Sequence, residues 1–135
     1  PVDDSAVAAY HTRAEMAIKS GTDLVEEAKQ RIKEVTPAEA MRMREQDPSI
    51  VYLDVREPNE WNLGRIPGSL FIARGNLESR VEATIPREKK IIIYCARGNR
   101  SALAADTMQQ MGYEDVASMS QGFIGWVDAE GEVED

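Results

Sequence analysis

The residue types best suited to chemistry lie in one short segment, Tyr94–Ser101. It contains Cys95, the single cysteine of the chain, which lies near the end of the apolar run Ile91–Ala96. The run predicts a buried strand, and a helix is predicted to begin a few residues later. A loop between a parallel strand and a helix lies at the carboxyl edge of the sheet, where ligands usually bind. Its successive N–H groups form a cradle for an anion.

Positive charge near Cys95 indicates what this cradle holds. Arg97 and Arg100 lie within five residues of the cysteine, and the predicted helix presents its positive end near Ser101. Such surroundings favour the thiolate, the nucleophilic form of cysteine. Gly98 allows the tight turn that the loop needs. The sequence therefore predicts covalent attack by Cys95; the alternative is a small apolar side chain at a strand end.

From residue 33 onward, predicted strands and helices alternate. The predicted strands are Ile32–Val35, Ile50–Val55, Leu70–Ile72, Lys90–Tyr94 and Asp115–Met119. The predicted helices are 36–47, Glu57–Leu63, Asn76–Thr84, Ser101–Met111 and Gly122–Glu130, with a turn at Gly64–Gly68. Strands separated by helices predict an α/β fold, a mostly parallel sheet with helices on both faces.

Residues 1–32 are predicted to form an N-terminal helical extension, distinct from the predicted α/β domain of residues 33–135. The first of its two predicted helices carries an apolar stripe of Val7, Tyr10, Ala14, Ala17 and Ile18 and ends at Gly21. The second is predicted to be capped by Thr22, with a stripe of Leu24, Val25, Ala28 and Ile32. Apolar stripes need a partner. The partner is either the α/β domain or a second copy, and we expect a homodimer through residues 1–32.

Composition excludes several classes of function. The 135 residues carry a net charge of −8, which argues against binding to nucleic acids or anionic membranes. One cysteine and one histidine exclude an internal disulfide and a closed zinc site, so no metal or cofactor is expected. No apolar run approaches the roughly 18 residues of a membrane span. The acidic N-terminus lacks signal-peptide features, which predicts a cytoplasmic protein. The chain begins at Pro1, so a preceding leader stays open.

Three segments together resemble the rhodanese (thiosulfate sulfurtransferase) family. The segment Cys95–Ser101 is similar to its active-site loop, Cys-x-x-Gly-x-Arg-Ser. Leu53–Trp61 followed by Gly64–Ser69 resembles the Asp-Val-Arg-Glu…Glu-Trp…Gly-His-Ile-Pro-Gly-Ala signature. The stretch Gly122–Trp126 is similar to a Gly-Gly…Trp segment near the domain end. The chain departs from these patterns at Arg65, Ser69 and Gln121, none of them in the cysteine loop.

The resemblance implies a five-stranded parallel sheet flanked by helices and a sulfurtransferase reaction. Cys95 takes a sulfane sulfur from a donor such as thiosulfate, becomes a persulfide, and passes the sulfur to a thiophilic acceptor. Both donor and acceptor are small molecules, or the acceptor is a protein partner in a sulfur relay. The implied substrate-binding residues are those of the loop: Ala96, Arg97, Gly98, Asn99, Arg100 and Ser101. Arg97 and Arg100 are expected to attract the dianionic donor.

Residues near the second motif are expected to support the loop. Asp54 ends its strand, so it either faces the same rim or, as we expect, bonds nearby backbone and fixes the turn. Arg56 and Glu60 are four residues apart at a helix start and are expected to pair with each other. Trp61 and Trp126 are predicted to be core or pocket-wall residues.

Two other classes of function compete with this interpretation. Phosphatases and arsenate reductases with the same fold have a loop one residue longer, Cys-x5-Arg, which accommodates a tetrahedral oxyanion. Here four residues separate Cys95 from Arg100, which suits a sulfur atom better. The second alternative is a non-enzymatic docking module, in which the cysteine is usually replaced.

Overall fold

The computed structural model describes residues 18–135. In chain order these form α1 (Gly21–Arg31), β1 (Lys33–Val35), α2 (Pro37–Gln46), β2 (Val51–Asp54), α3 (Pro58–Asn62), β3 (Leu70–Phe71), a 3-10 helix (Arg74–Asn76), α4 (Leu77–Thr84), β4 (Ile91–Tyr94), α5 (Asn99–Gln110), β5 (Val116–Met119) and α6 (Gly122–Asp128). Among these helices, none is long and apolar enough to cross a membrane.

The five strands form one parallel sheet in the order β1-β5-β4-β2-β3. This confirms the predicted α/β architecture. All four residues of the central strand β4 are buried, as its unbroken apolar sequence predicts. Asp54 of β2 pairs in register with Tyr94 of β4. Cys95 and Val55, the residues that follow each strand, therefore lie side by side at the carboxyl edge of the sheet.

The sheet separates two buried apolar clusters. Because successive side chains of a strand point to opposite faces, Ile91, Ile93 and Cys95 belong to one cluster and Ile92 and Tyr94 to the other. The cluster that contains Cys95 includes small, fully buried residues of α5, among them Ala104 and Ala105. The thiol therefore points towards the face of the sheet that α5 covers.

The N-terminal caps of α1 and α2 were both predicted from the local sequence, and only one of the two predictions is right. Thr36 caps α2 in a reciprocal capping box with Glu39, as predicted. The prediction that Thr22 caps the next helix upstream is wrong, since Ser20 caps α1 and Gly21 is its first residue. Ser20 is the cap because its hydroxyl accepts a hydrogen bond from the N–H of Asp23, while the Asp23 carboxylate accepts one from the N–H of Ser20. No such reciprocal partner is available to Thr22.

The described part of the N-terminal extension packs against the α/β domain. Ala28 of α1 is fully buried, and the Arg31 guanidinium binds both carboxylate oxygens of Asp106 on α5 at 3.0 and 2.8 Å. The side-chain amide of Gln109 donates to the carbonyl of Arg31 at 2.9 Å. The first predicted helix lies outside the described residues except at its end, where the prediction is wrong: residues 18–20 are not helical, and Gly21 begins α1 instead of ending the earlier helix. The homodimer through residues 1–32 stays a prediction.

Candidate active site

The thiol of Cys95 sits in a cradle of backbone N–H groups. Cys95 directly follows β4 and is 1% exposed. Its Sγ accepts hydrogen bonds from the N–H of Gly98 at 3.1 Å and from the N–H of Ser101 at 3.3 Å. Gly98 has a φ of +99°, and a Cβ there would meet the backbone of residues 119–121 at 3.3 to 3.5 Å. The loop closes around the sulfur because this position is glycine.

A pair of serine hydroxyls lies behind the sulfur. Ser101 Oγ is 3.4 Å from Cys95 Sγ, and Ser118 Oγ is 2.8 Å from Ser101 Oγ. Both serine side chains are fully buried. The predicted loop contains Ser101, whereas Ser118 belongs to β5 and no motif singled it out. The only signal for it in the sequence is a hydroxyl within an otherwise apolar buried strand.

The carbonyl groups of the same loop point the other way, to the start of α6. The N–H of Phe123 donates to the carbonyl of Cys95 at 2.7 Å, and that of Ile124 donates to the carbonyl of Ala96 at 3.2 Å. Gly122 lies directly before these two N–H donors and against the loop. An added Cβ at this position would come within 2.5 Å of the backbone of Ala96. The loop is therefore held through its carbonyls by α6 while its N–H groups face the sulfur.

Arg100 is paired with Glu60 across the rim of the site. Arg100 Nη1 donates to Glu60 Oε1 at 2.7 Å and Nη2 donates to Oε2 at 3.1 Å. The Arg100 guanidinium lowers the pKa of Glu60 to about 2. The predicted pairing of Arg56 with Glu60 is therefore wrong. Arg100 lies near the sulfur, but its charge is neutralised within the protein.

Arg56 instead forms a buried ion pair with Asp54. Its Nη2 donates to Asp54 Oδ2 at 2.6 Å, its Nε contacts both carboxylate oxygens at 3.0 Å, and its backbone N–H donates to Oδ1 at 2.9 Å. A further hydrogen bond of 2.7 Å joins Arg56 Nη2 to the carbonyl of Gly64. The guanidinium also lies 4.4 Å from the centre of the Phe123 ring. Asp54 thus bonds nearby backbone, as expected of a residue that fixes the turn.

The other residues named from the sequence lie around this centre. Arg97 and Asn99 are exposed, and Arg97 has no ion-pair partner between residues 18 and 135. Trp126 is a core residue, 1% exposed. Trp61 is half-buried and packs against Phe71 with ring centres 5.1 Å apart. In the described part of the chain, no cluster of three or more His, Cys, Asp or Glu side chains is placed to hold a metal ion.

A parallel α/β fold with a buried cysteine in an N–H cradle at its carboxyl edge defines the class of protein. The family model for the rhodanese-like domain matches residues 36–129, and the chain belongs to the rhodanese-like family. "Thiosulfate sulfurtransferase GlpE" from Pseudoalteromonas translucida is 34% identical over 98 residues, which are 70% of this chain and 88% of that protein.

Two further proteins are similar to this chain over very different shares of their own length. "Probable adenylyltransferase/sulfurtransferase MoeZ" from Mycobacterium tuberculosis is 28% identical over 93 residues, and the match spans only 24% of that longer protein. A solved structure from Rhodopseudomonas palustris, described as a protein of unknown function and possible tyrosine phosphatase, superposes with a TM-score of 0.79. It is 38% identical, and the match covers 86% of this chain and 95% of that one. Residues 36–135 alone make up a smaller share of the chain than the 86% that the match covers, so the likeness extends into the N-terminal region.

Proposed function

We propose that the protein is a sulfurtransferase that carries a sulfane sulfur as a persulfide on Cys95. The observation that carries the proposal is the pair of backbone N–H groups, of Gly98 and Ser101, that donate to the buried Sγ. Donors that converge on one buried sulfur favour an anionic sulfur over a neutral thiol. The helix α5 adds the positive end of its dipole, because Ser101 lies in its first turn.

In the first step, the Cys95 thiolate attacks the outer sulfur of thiosulfate. A sulfur–sulfur bond forms to Sγ, and the bond between the two thiosulfate sulfurs breaks. Sulfite leaves with that electron pair, and Cys95 becomes a persulfide anion. Charge balances, because a thiolate and a dianion give a persulfide anion and a dianion. No proton or external oxidant is needed.

In the second step, a thiophilic acceptor attacks the outer sulfur of the persulfide. The sulfur–sulfur bond at Cys95 breaks, and Sγ leaves as the thiolate that began the cycle. With cyanide as the acceptor the product is thiocyanate. A protein acceptor uses the same step, so a sulfur relay to a partner protein differs only in what reaches the persulfide.

The loop residues divide between attracting the donor and holding the cradle. Arg97 is exposed and unpaired within the described residues, so it is the side chain that attracts a dianionic donor. Arg100 is engaged by Glu60 and therefore acts on the shape of the loop. Ala96, Gly98 and Asn99 supply the turn that aims the N–H groups at the sulfur.

The test is the mass of the intact protein after incubation with thiosulfate. We expect a gain of about 32 Da, one sulfur atom, that cyanide removes with formation of thiocyanate. The matched control is Cys95→Ser, which replaces only the sulfur and is expected to gain no mass and form no thiocyanate. Wild-type protein that gains no sulfur, or a Cys95→Ser variant that still turns over, contradicts the proposal.

Phosphate-ester hydrolysis is the second candidate, because the R. palustris relative is described as a possible tyrosine phosphatase. Two observations weigh against it in this chain. Only four residues separate Cys95 from Arg100. The Arg100 guanidinium, which a phosphate would need, is already bound by a carboxylate at 2.7 and 3.1 Å. Turnover of p-nitrophenyl phosphate without turnover of thiosulfate would establish this second candidate in place of the first.

A further inference from the structure

We propose that Glu60 sets the anion specificity of the cysteine loop: by holding the Arg100 guanidinium, it weakens the binding of oxyanions beside Cys95. This deepens the sulfurtransferase function proposed above and rests on it. Glu60 makes no hydrogen bond to the sulfur. It acts through Arg100, because its carboxylate takes the hydrogen-bond donors that a sulfate, a phosphate or a sulfite would otherwise bind.

Arg100 extends from the end of α5 where an anion is favoured. It is the second residue of that helix and directly precedes Ser101, whose N–H donates to Cys95 Sγ at 3.3 Å. A helix N-terminus attracts anions through its free N–H groups and the positive end of its dipole. A free guanidinium in the first turn would add two parallel charge-assisted hydrogen bonds to an oxyanion held there.

Glu60 occupies the donors that such an oxyanion needs. Its two carboxylate oxygens accept from Arg100 Nη1 at 2.7 Å and from Nη2 at 3.1 Å. Within residues 18–135, Arg100 makes no other side-chain hydrogen bond, so Glu60 alone holds its guanidinium. A bidentate ion pair is also what arginine forms with an oxyanion. A sulfate ion that arrives from solvent must therefore displace Glu60 or bind a guanidinium whose charge is already neutralised.

The position of Glu60 makes it an effective competitor. It is the third residue of α3, and its Oε1 also accepts from the N–H of Glu57 at 3.0 Å. The carboxylate is therefore fixed at two points before any ligand arrives. The pair is open to solvent, since the side chains of Arg100 and Glu60 are 35% and 28% exposed. Ions reach it, and competition with Glu60 decides whether they bind.

This competition bears on the step of the proposed cycle in which sulfite leaves. Thiosulfate and sulfite both carry an oxyanion, so Glu60 weakens the binding of the donor and of the product alike. Sulfite that forms at the loop finds no free guanidinium to hold it. The persulfide on Cys95 is then left open to the acceptor.

The experiment measures the dissociation constant of sulfate from the amide NMR signals of Gly98 and Ser101 in the full chain, at pH 7 and constant ionic strength. These two N–H groups line the cradle, so their shifts report an anion at the loop. We expect Glu60→Gln to bind sulfate about tenfold more tightly than the wild type. Glutamine has the same size and keeps an oxygen for the N–H of Glu57, but its own N–H group opposes an Arg100 donor.

The matched control is Glu57→Gln, which removes the same charge from the same helix start. Glu57 is exposed, and its carboxylate does not bond Arg100. An exposed charge acts on the ion only through screened attraction or repulsion, so we expect the dissociation constant to change by less than about twofold. An equal gain in sulfate affinity for both variants would show that the net charge of the rim is the cause, and would overturn the proposal.

A double variant tests whether the gain passes through Arg100. Arg100→Met added to Glu60→Gln should remove the gain, and the amide spectrum of each variant shows directly whether it is folded. An unchanged dissociation constant for Glu60→Gln, or a gain that survives Arg100→Met, contradicts the proposal. Sulfate binding uses neither a sulfur donor nor an acceptor, so these outcomes are independent of whether thiosulfate loads Cys95.

Discussion

Two neighbouring strands of the sheet end in opposite kinds of polar site. At the end of β2, Asp54 and Arg56 are 0% and 4% exposed and satisfy each other through contacts of 2.6 to 3.0 Å. At the end of β4, Cys95 is equally buried, but the groups around its sulfur are hydrogen-bond donors without a paired carboxylate.

The difference separates a strand end whose polar side chains are paired with each other from a strand end whose donors all point at one sulfur. A buried ion pair whose partners are both supplied by the protein has no interaction left for a ligand. The N–H cradle at Cys95 has its full effect only when the sulfur carries negative charge. The same edge of the sheet thus holds a closed polar network that shapes the turn and an open one whose N–H donors converge on a single sulfur.

The largest effect on stability is expected from breaking the closed network, which is the buried ion pair of Asp54 and Arg56. Arg56→Met leaves the Asp54 carboxylate buried without its partner, and we expect a loss of about 3–5 kcal/mol in the free energy of unfolding. The measurement is urea denaturation followed by circular dichroism. Asp54→Asn combined with Arg56→Met removes the buried charge and should recover part of the loss. A double variant that is as unstable as Arg56→Met would show that the charge itself is not the cause.

A smaller, pH-dependent loss of stability is expected from breaking the ion pair between Glu60 and Arg100. Because the pKa of Glu60 is lowered to about 2 in the folded protein, its carboxylate contributes stability above the unfolded value near 4.5. That contribution is lost as the pH falls from about 4.5 towards 2. Glu60→Gln should therefore cost about 1 kcal/mol at pH 7, and the difference from the wild type should shrink below about pH 4.5 and vanish only below about pH 2.

The matched control for this pair is Glu82→Gln. Glu82 pairs with Arg87 at 2.9 Å, but both side chains are at least half exposed. Water screens such a pair, so its loss should change the unfolding free energy less than the loss of the Glu60–Arg100 pair. Equal costs for the two substitutions at pH 7 would contradict the distinction.

The smallest effect is expected from substitution of Arg97, the exposed cation of the cysteine loop. Arg97→Ala should raise the KM for thiosulfate about threefold at low ionic strength and leave kcat nearly unchanged. Since attraction between exposed charges is screened, the difference should shrink as salt is added. Arg80→Ala, on α4 outside the cysteine loop, is the control and should leave KM unchanged. A fall in kcat alone would show that Arg97 does not act by attracting the donor.

Sequence reasoning located the cysteine loop because the determinants are local. The apolar run before Cys95 defines the central strand, and Gly98 marks the turn. The capping box at Thr36 likewise decides a helix start within four residues. In each case the relevant groups are neighbours in the chain, so spacing alone is informative.

The remaining features depend on residues distant in sequence. Spacing at a helix start suggested that Glu60 pairs with Arg56, yet its partner is Arg100, forty residues away. Asp54 competes for Arg56 at shorter range, and β2 and β4 must be adjacent before Glu60 can reach Arg100. Ser118 was missed for the same reason, since only the register of β4 with β5 brings its hydroxyl near the thiol.

The close approach of α6 to the cysteine loop ties the length of that loop to a distant part of the chain. An additional residue after Cys95 would displace carbonyls that Phe123 and Ile124 now bind. The helix cannot shift to follow them, because Gly122 already lies where even a methyl group does not fit. Widening the cradle for a tetrahedral oxyanion therefore requires rebuilding the connection from β5 to α6 together with the loop. In the divergence of such scaffolds, a one-residue insertion is a change of two elements and not of one.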